Sequence, residues 1–116
     1  MPQAGSNRVH YSLMALPEMP AGLALARTTP EFTDTTVPAA LLAAHRVGPG
    51  VWGRLRVHAG RVRFVFEADP SSALELSAGE HIDIPPGEAH HVEPQSDARF
   101  VVEFYRKIAS EGAAGS

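Results

Sequence analysis

From Trp52 onward, apolar and polar positions alternate along the chain. Leu55 and Val57 alternate with Arg54, Arg56 and His58. After Ala59-Gly60, Val62, Phe64 and Phe66 alternate with Arg61, Arg63 and Val65. Successive side chains of a strand point to opposite faces, so a period of two predicts a β-hairpin with one apolar and one charged face, turning at Ala59-Gly60. Asp69-Pro70-Ser71-Ser72 reads as a loop, and Leu74 and Leu76 as a short strand ended by Ala78-Gly79. Ile82 and Ile84 alternate with His81 and Asp83 until Pro85-Pro86-Gly87 stops the strand. Another strand starts at His90–Val92 and closes at Glu93-Pro94. In the last one, Phe100, Val102 and Phe104 alternate with Val101, Glu103 and Tyr105.

The first half is less regular. Pro17, Pro20 and Gly22 break any long helix, leaving an extended entry and a short strand around Leu23–Ala26. Thr28-Thr29-Pro30 and Thr35-Thr36-Val37-Pro38 read as extended or turn segments, because a residue before proline avoids the α region. Ala39–His45 is alanine-rich, but it is short and bounded by Pro38 and Gly48-Pro49-Gly50. An isolated helix of that length is marginal, so a strand is expected. In all, about seven to nine short strands, spaced by roughly 8–12 residues, predict an antiparallel sandwich or small barrel. Residues 1–10 and 107–116 read as flexible ends around one domain at 11–106.

Composition narrows the function classes. The 116 residues suffice for one domain, and 44% apolar with 20% charged residues is an ordinary globular balance. The absence of cysteine excludes disulfides, cysteine zinc sites, iron–sulfur clusters and a thiol nucleophile. A formal charge of −3 argues against nucleic acid as a partner. No apolar run approaches the roughly 18 residues of a membrane span, and the N-terminus lacks the pattern of a signal peptide, so no membrane partner and a cytoplasmic location are expected.

Histidine carries most of the candidate chemistry. Of the six histidines, His10 sits in the loose start, His58 shares the charged face of Arg54 and Arg56, and His81 shares a face with Asp83; these read as surface side chains. His90 and His91 must point to opposite faces, and His90 shares its face with apolar Val92. An inward imidazole is either a hydrogen-bonded core residue or a ligand. Glu103 is a carboxylate between Val102 and Phe104, although simple alternation turns it outward. Trp52, the one tryptophan, is a core residue or the wall of a ligand site. The arginines at 54, 56, 61 and 63 read as a solvated or dimer-facing surface.

Gly79, Pro85, Gly87 and His90 reproduce the G-x5-P-x-G-x2-H order of the second cupin motif. The first motif is not present in its usual form: His45 is the one upstream histidine available, and the expected glutamate falls near Gly53. The stretches T-P-E-F-T-D-T-T-V-P-A-A-L-L-A-A-H, G-V-W-G-R-L-R-V-H-A-G-R-V-R-F, I-P-P-G-E-A-H-H-V-E-P and F-V-V-E-F-Y together resemble the TehB/YeaR-like family of small cupins over Leu16 to Tyr105.

The resemblance implies an all-β cupin double-stranded β-helix, a jelly-roll barrel of one domain. It implies His45 and His90 as metal ligands, with Glu103 as the candidate third ligand and Glu88, in the turn beside His90, as the alternative, for a divalent ion: zinc, with iron, nickel or manganese as alternatives. Glu93 is an implied ligand-binding residue, and Trp52, read from its own chemistry as core or ligand wall, is the other candidate. The implied function is a small metal-binding bacterial protein, a homodimer by family habit, holding a small molecule or anion in its barrel in connection with tellurite or oxyanion stress. The alternative is a non-catalytic sensor or protein-interaction module with a structural metal or none. The chain departs from the family pattern at Gly48, where lysine is usual, and at Ala89, where tryptophan is usual. No glycine-rich loop opens a helix, so the methyltransferase part of the fused family members has no counterpart here.

Overall fold

The computed structural model describes residues 16–108. Eight strands follow in order: β1 (Leu23–Thr28), β2 (Phe32–Thr33), β3 (Trp52–Ala59), β4 (Arg61–Phe66), β5 (Leu74–Ser77), β6 (His81–Ile84), β7 (His90–Pro94) and β8 (Arg99–Lys107). Single turns of 3-10 helix lie at Ala39–Leu42 and Pro70–Ser72. The strands form two antiparallel sheets. One has the order β1-β8-β3-β6, with β2 also paired to β8; the other has the order β5-β4-β7.

The alternation in the sequence assigns faces correctly. Leu55 and Val57 of β3, Ile82 and Ile84 of β6, and Phe100 and Val102 of β8 meet Val62 and Phe64 of β4, Leu76 of β5 and Val92 of β7 in one core. Phe100 is fully buried and meets Phe32 edge-to-face at 5.8 Å, which lets the two-residue β2 anchor its loop. The molecule is thus a single all-β domain whose interior is shared by both sheets. Among the described residues, no helix is long and apolar enough to cross a membrane.

Two expectations are corrected. The segments on either side of Gly60 do not form a hairpin: β3 pairs with β6 and β8, whereas β4 pairs with β5 and β7. The chain passes from one sheet to the other at Gly60, which has φ +67° and lies against the Asp97 carbonyl. A period of two specifies which side chains face inward, but not which strand lies alongside. Ala39–His45 is not a strand either. Pro38 opens a 3-10 turn in which the Leu41 N–H donates to the Pro38 carbonyl at 2.9 Å, and pairing begins only at His45.

A bulge in β1 sets the facing of Arg27. Leu25 lies opposite Tyr105, but Arg27 lies opposite Phe104, because the register shifts between Leu25 and Arg27. Tyr105 is on the outer face of β8 and Phe104 on the inner, so the extra residue turns Arg27 toward the interior side.

Candidate functional site

The site starts from two backbone segments. His45 and His90 face each other as an antiparallel bridge, each N–H donating to the other's carbonyl at 2.8 Å. Residues paired in this way project their side chains to the same side. The two imidazoles accordingly lie edge-to-face, with centroids 5.5 Å apart at 89°. Strand alternation turns His90 and Val92 inward, and His91 and Glu93 outward, as expected from the sequence.

His90 is 3% exposed and stacks on Phe64 with centroids 5.2 Å apart. Burial holds its pKa below the ordinary histidine value, so it is neutral at pH 7. Its Nδ1 lies 3.0 Å from the Glu88 carbonyl, which can only accept, so Nδ1 carries the proton. Nε2 is then the unprotonated nitrogen, with no hydrogen-bond partner among the described residues.

Both histidines border a cavity of about 280 Å³ between the sheets. Leu55, Ile84, Val92, Val102 and Phe104 make most of its wall apolar, and Arg27 and Thr29 add polar groups. A mostly apolar pocket with a few placed polar groups has the usual make-up of a small-molecule site.

The remaining predicted site residues lie elsewhere. Glu103 is on the outer face of β8, where it accepts from Arg56 Nε at 2.9 Å and from the Tyr105 hydroxyl at 2.8 Å. Glu93 is exposed and accepts from His91 Nε2 at 2.8 Å, with Arg63 Nε at 3.3 Å. Trp52 is half-buried opposite Tyr105, on the outer face of β3. The fold brings together His45 and His90, and leaves Glu103, Glu93 and Trp52 on other faces. His58 and His81 are exposed, as expected, and His10 lies outside the described residues.

The fit to a metal centre is partial. A ligating histidine commonly gives its other ring N–H to a carbonyl, as His90 does to Glu88. Yet among the described residues no group of three or more His, Asp or Glu side chains is arranged to hold a metal. At Gly53, where the cupin pattern has glutamate, Ile84 and Val47 stand 3.4 Å from the place a Cβ would occupy. The described residues do not compose a centre of three or more protein ligands.

The sequence marks Phe104 as one member of an alternating strand and gives no sign that Arg27 joins it at a site. The Arg27 guanidinium lies 4.8 Å from the centre of the Phe104 ring at the cavity edge. Only the bulge brings it there, and no local residue pattern announces a bulge.

The fold and the site define an all-β domain of two antiparallel sheets with a histidine pair bordering an interior cavity. The chain belongs to the TehB-like domain family, which it matches over residues 27–102. It is 29% identical over 107 residues to YeaR, an uncharacterized protein of Escherichia coli (strain K12), covering 83% of this chain and 90% of that one. A crystal structure of a protein from Escherichia coli (strain K12) superposes with a TM-score of 0.73 at 27% identity, covering 80% of this chain and 99% of the other. TehB from Haemophilus influenzae superposes with a TM-score of 0.70 at 26% identity, over 77% of this chain but 33% of TehB.

Proposed function

We propose that this protein is a cupin-type jelly-roll domain that binds a small molecule in the cavity between its sheets, with His90 as the polar contact at the cavity wall. The observation that carries this reading is the union of an apolar cavity of about 280 Å³ with a buried, neutral imidazole whose Nε2 is free to accept. Such a site binds by shape and one oriented hydrogen bond. This is the binding-module form of the function rather than an enzyme's. A bare oxyanion such as tellurite fits the apolar lining poorly, because an unpaired charge there would lose its hydration.

The test is methyl-resolved NMR with benzyl alcohol as an apolar probe with one hydroxyl donor. Saturable shifts confined to Leu55, Ile84, Val92 and Val102, with the His90 imidazole, are expected. An unchanged spectrum at millimolar probe would remove this reading.

The orientation of His90 by the Glu88 carbonyl favours a second reading, in which His45 and His90 hold a divalent metal completed by ligand or water oxygens. Elemental mass spectrometry after loading with zinc, iron, nickel or manganese should then find near-stoichiometric metal, lost in both His45→Ala and His90→Ala. No retained metal in the parent protein would eliminate it. We also infer a homodimer, supported by the exposed edge strand β1 with Leu25 half-exposed upon it.

A further inference from the structure

We propose that the ligand is an amphiphilic monoanion, a carboxylate carried on a compact apolar body, with the body in the cavity and the carboxylate in an arginine-lined groove beside it. This rests on the cavity-binding reading and adds the chemistry of the ligand's head. The groove has a volume of about 490 Å³, and Arg27, Arg46 and Arg106 border it together with His45. Among the described residues no carboxylate lines it, and none of these arginines forms an ion pair. Four other arginines do pair, Arg54 with Asp83, Arg56 with Glu103, Arg63 with Glu93 and Arg99 with Glu31, whereas Arg61 and Lys107 stand unpaired among the described residues but apart from the groove. Among the described residues, the groove is therefore where three unpaired arginines gather.

Groove and cavity lie side by side. Arg27, His45, Val47 and Phe104 border both spaces. Two of the arginines are held in place before any ligand arrives. The bulge in β1 brings Arg27 to the inner side, and the face of Phe104 supports its guanidinium at 4.8 Å. Arg46 Nη1 donates to the Gly87 carbonyl at 2.7 Å, so the turn that precedes His90 also positions a groove cation. A guanidinium fixed in this way presents paired N–H groups that match the two oxygens of a carboxylate. Arg106, near the end of β8, is exposed and lines the same groove.

Size limits the body. A cavity of roughly 150 Å³ takes up benzene, so the 280 Å³ here suits one ring with a short linker, or a branched chain of similar bulk. A molecule without an apolar body would leave the cavity unfilled, and one without a charge would leave the arginines unused.

The experiment is calorimetric titration of the full chain with 3-phenylpropanoate, 3-phenylpropan-1-ol and acetate. The acid should bind at least about tenfold more tightly than the alcohol, acetate should not bind measurably, and the acid's advantage should shrink with added salt. The Arg27→Gln/Arg106→Gln double variant should lose that advantage, read as the ratio of acid to alcohol affinity. Arg61→Gln/Arg63→Gln, which removes the same charge away from the groove, should keep it. Equal binding of acid and alcohol would overturn this inference and leave the cavity reading standing. Binding of neither compound would overturn both. If the groove variant does not fold, the ratio of acid to alcohol in the parent protein and its salt dependence still decide.

Discussion

His90 and His91 are neighbours on β7, yet their imidazoles face opposite sides of the sheet and their pKa values move in opposite directions. Burial lowers His90. Hydrogen bonds to Glu67 first, then to Glu93, raise His91, whose two ring nitrogens each meet a carboxylate. In metal-free protein, imidazole NMR should show His90 titrating below about 6.5 as the Nδ1–H tautomer, and His91 titrating above it. An inverted order would contradict the geometry.

The same pair shapes stability against pH. Below about 6.5 the unfolded chain takes up a proton that folded His90 refuses, so stability falls as pH drops toward His90's folded value. His91 acts oppositely: its contribution is complete below about 6.5 and is lost as pH rises through its raised folded value. Urea unfolding of His91→Gln should lack this alkaline-side loss and keep the acid-side one. An unchanged alkaline limb would show that His91 is not the group responsible.

Asp83 is 7% exposed and receives Arg54 Nε at 2.6 Å, Arg54 Nη2 at 3.2 Å and the Met19 N–H at 2.9 Å. Burial pushes its carboxyl upward, but these donors prevail and hold it below the ordinary aspartate range. Arg54→Met should cost about 1–3 kcal/mol in urea unfolding, because it strands a desolvated carboxylate. The pair's contribution should be present above about pH 4 and fade as pH falls through the depressed value. A double-mutant cycle with Asp83→Asn that gives no coupling would refute the assignment.

Gly60 and Gly48 make a contrast. A Cβ at Gly60 would sit 2.5 Å from the Asp97 carbonyl oxygen, and its φ of +67° strains any other residue; at Gly48 nothing lies within 4 Å. Gly60→Ala should cost more than about 1 kcal/mol, and Gly48→Ala should be neutral or slightly stabilising. Thermal unfolding of the two variants side by side checks this, and equal effects would count against the crossing at Gly60.

The dimer is checked by light scattering coupled to size-exclusion chromatography. Twice the chain mass is expected, shifting toward one chain mass in Leu25→Lys, because a lysine on an exposed edge strand opposes pairing there. A parent protein at one chain mass would end the proposal.

Much of the facing was legible in the residues themselves. Alternation from Trp52 to Tyr105 assigned the inward set Leu55, Val57, Val62, Phe64, Ile82, Ile84, Val92, Phe100 and Val102, because the side-chain period of a strand is a local property. It also set His90 against His91. The order Gly79, Pro85, Gly87, His90 marked the turn that delivers the interior imidazole.

Partnership was decided only in three dimensions. That β3 and β4 belong to different sheets, that His45 bridges to His90, and that Glu103 is taken up by Arg56 all depend on which strands lie alongside, over separations no local pattern encodes. The same holds for Arg27: one extra residue in β1 reverses its face, and the bulge exists because of how β1 pairs with β8. Facing follows from the chain's own periodicity; pairing follows from packing the whole chain into one interior, and it is pairing that assembled the cavity and the arginine-lined groove beside it.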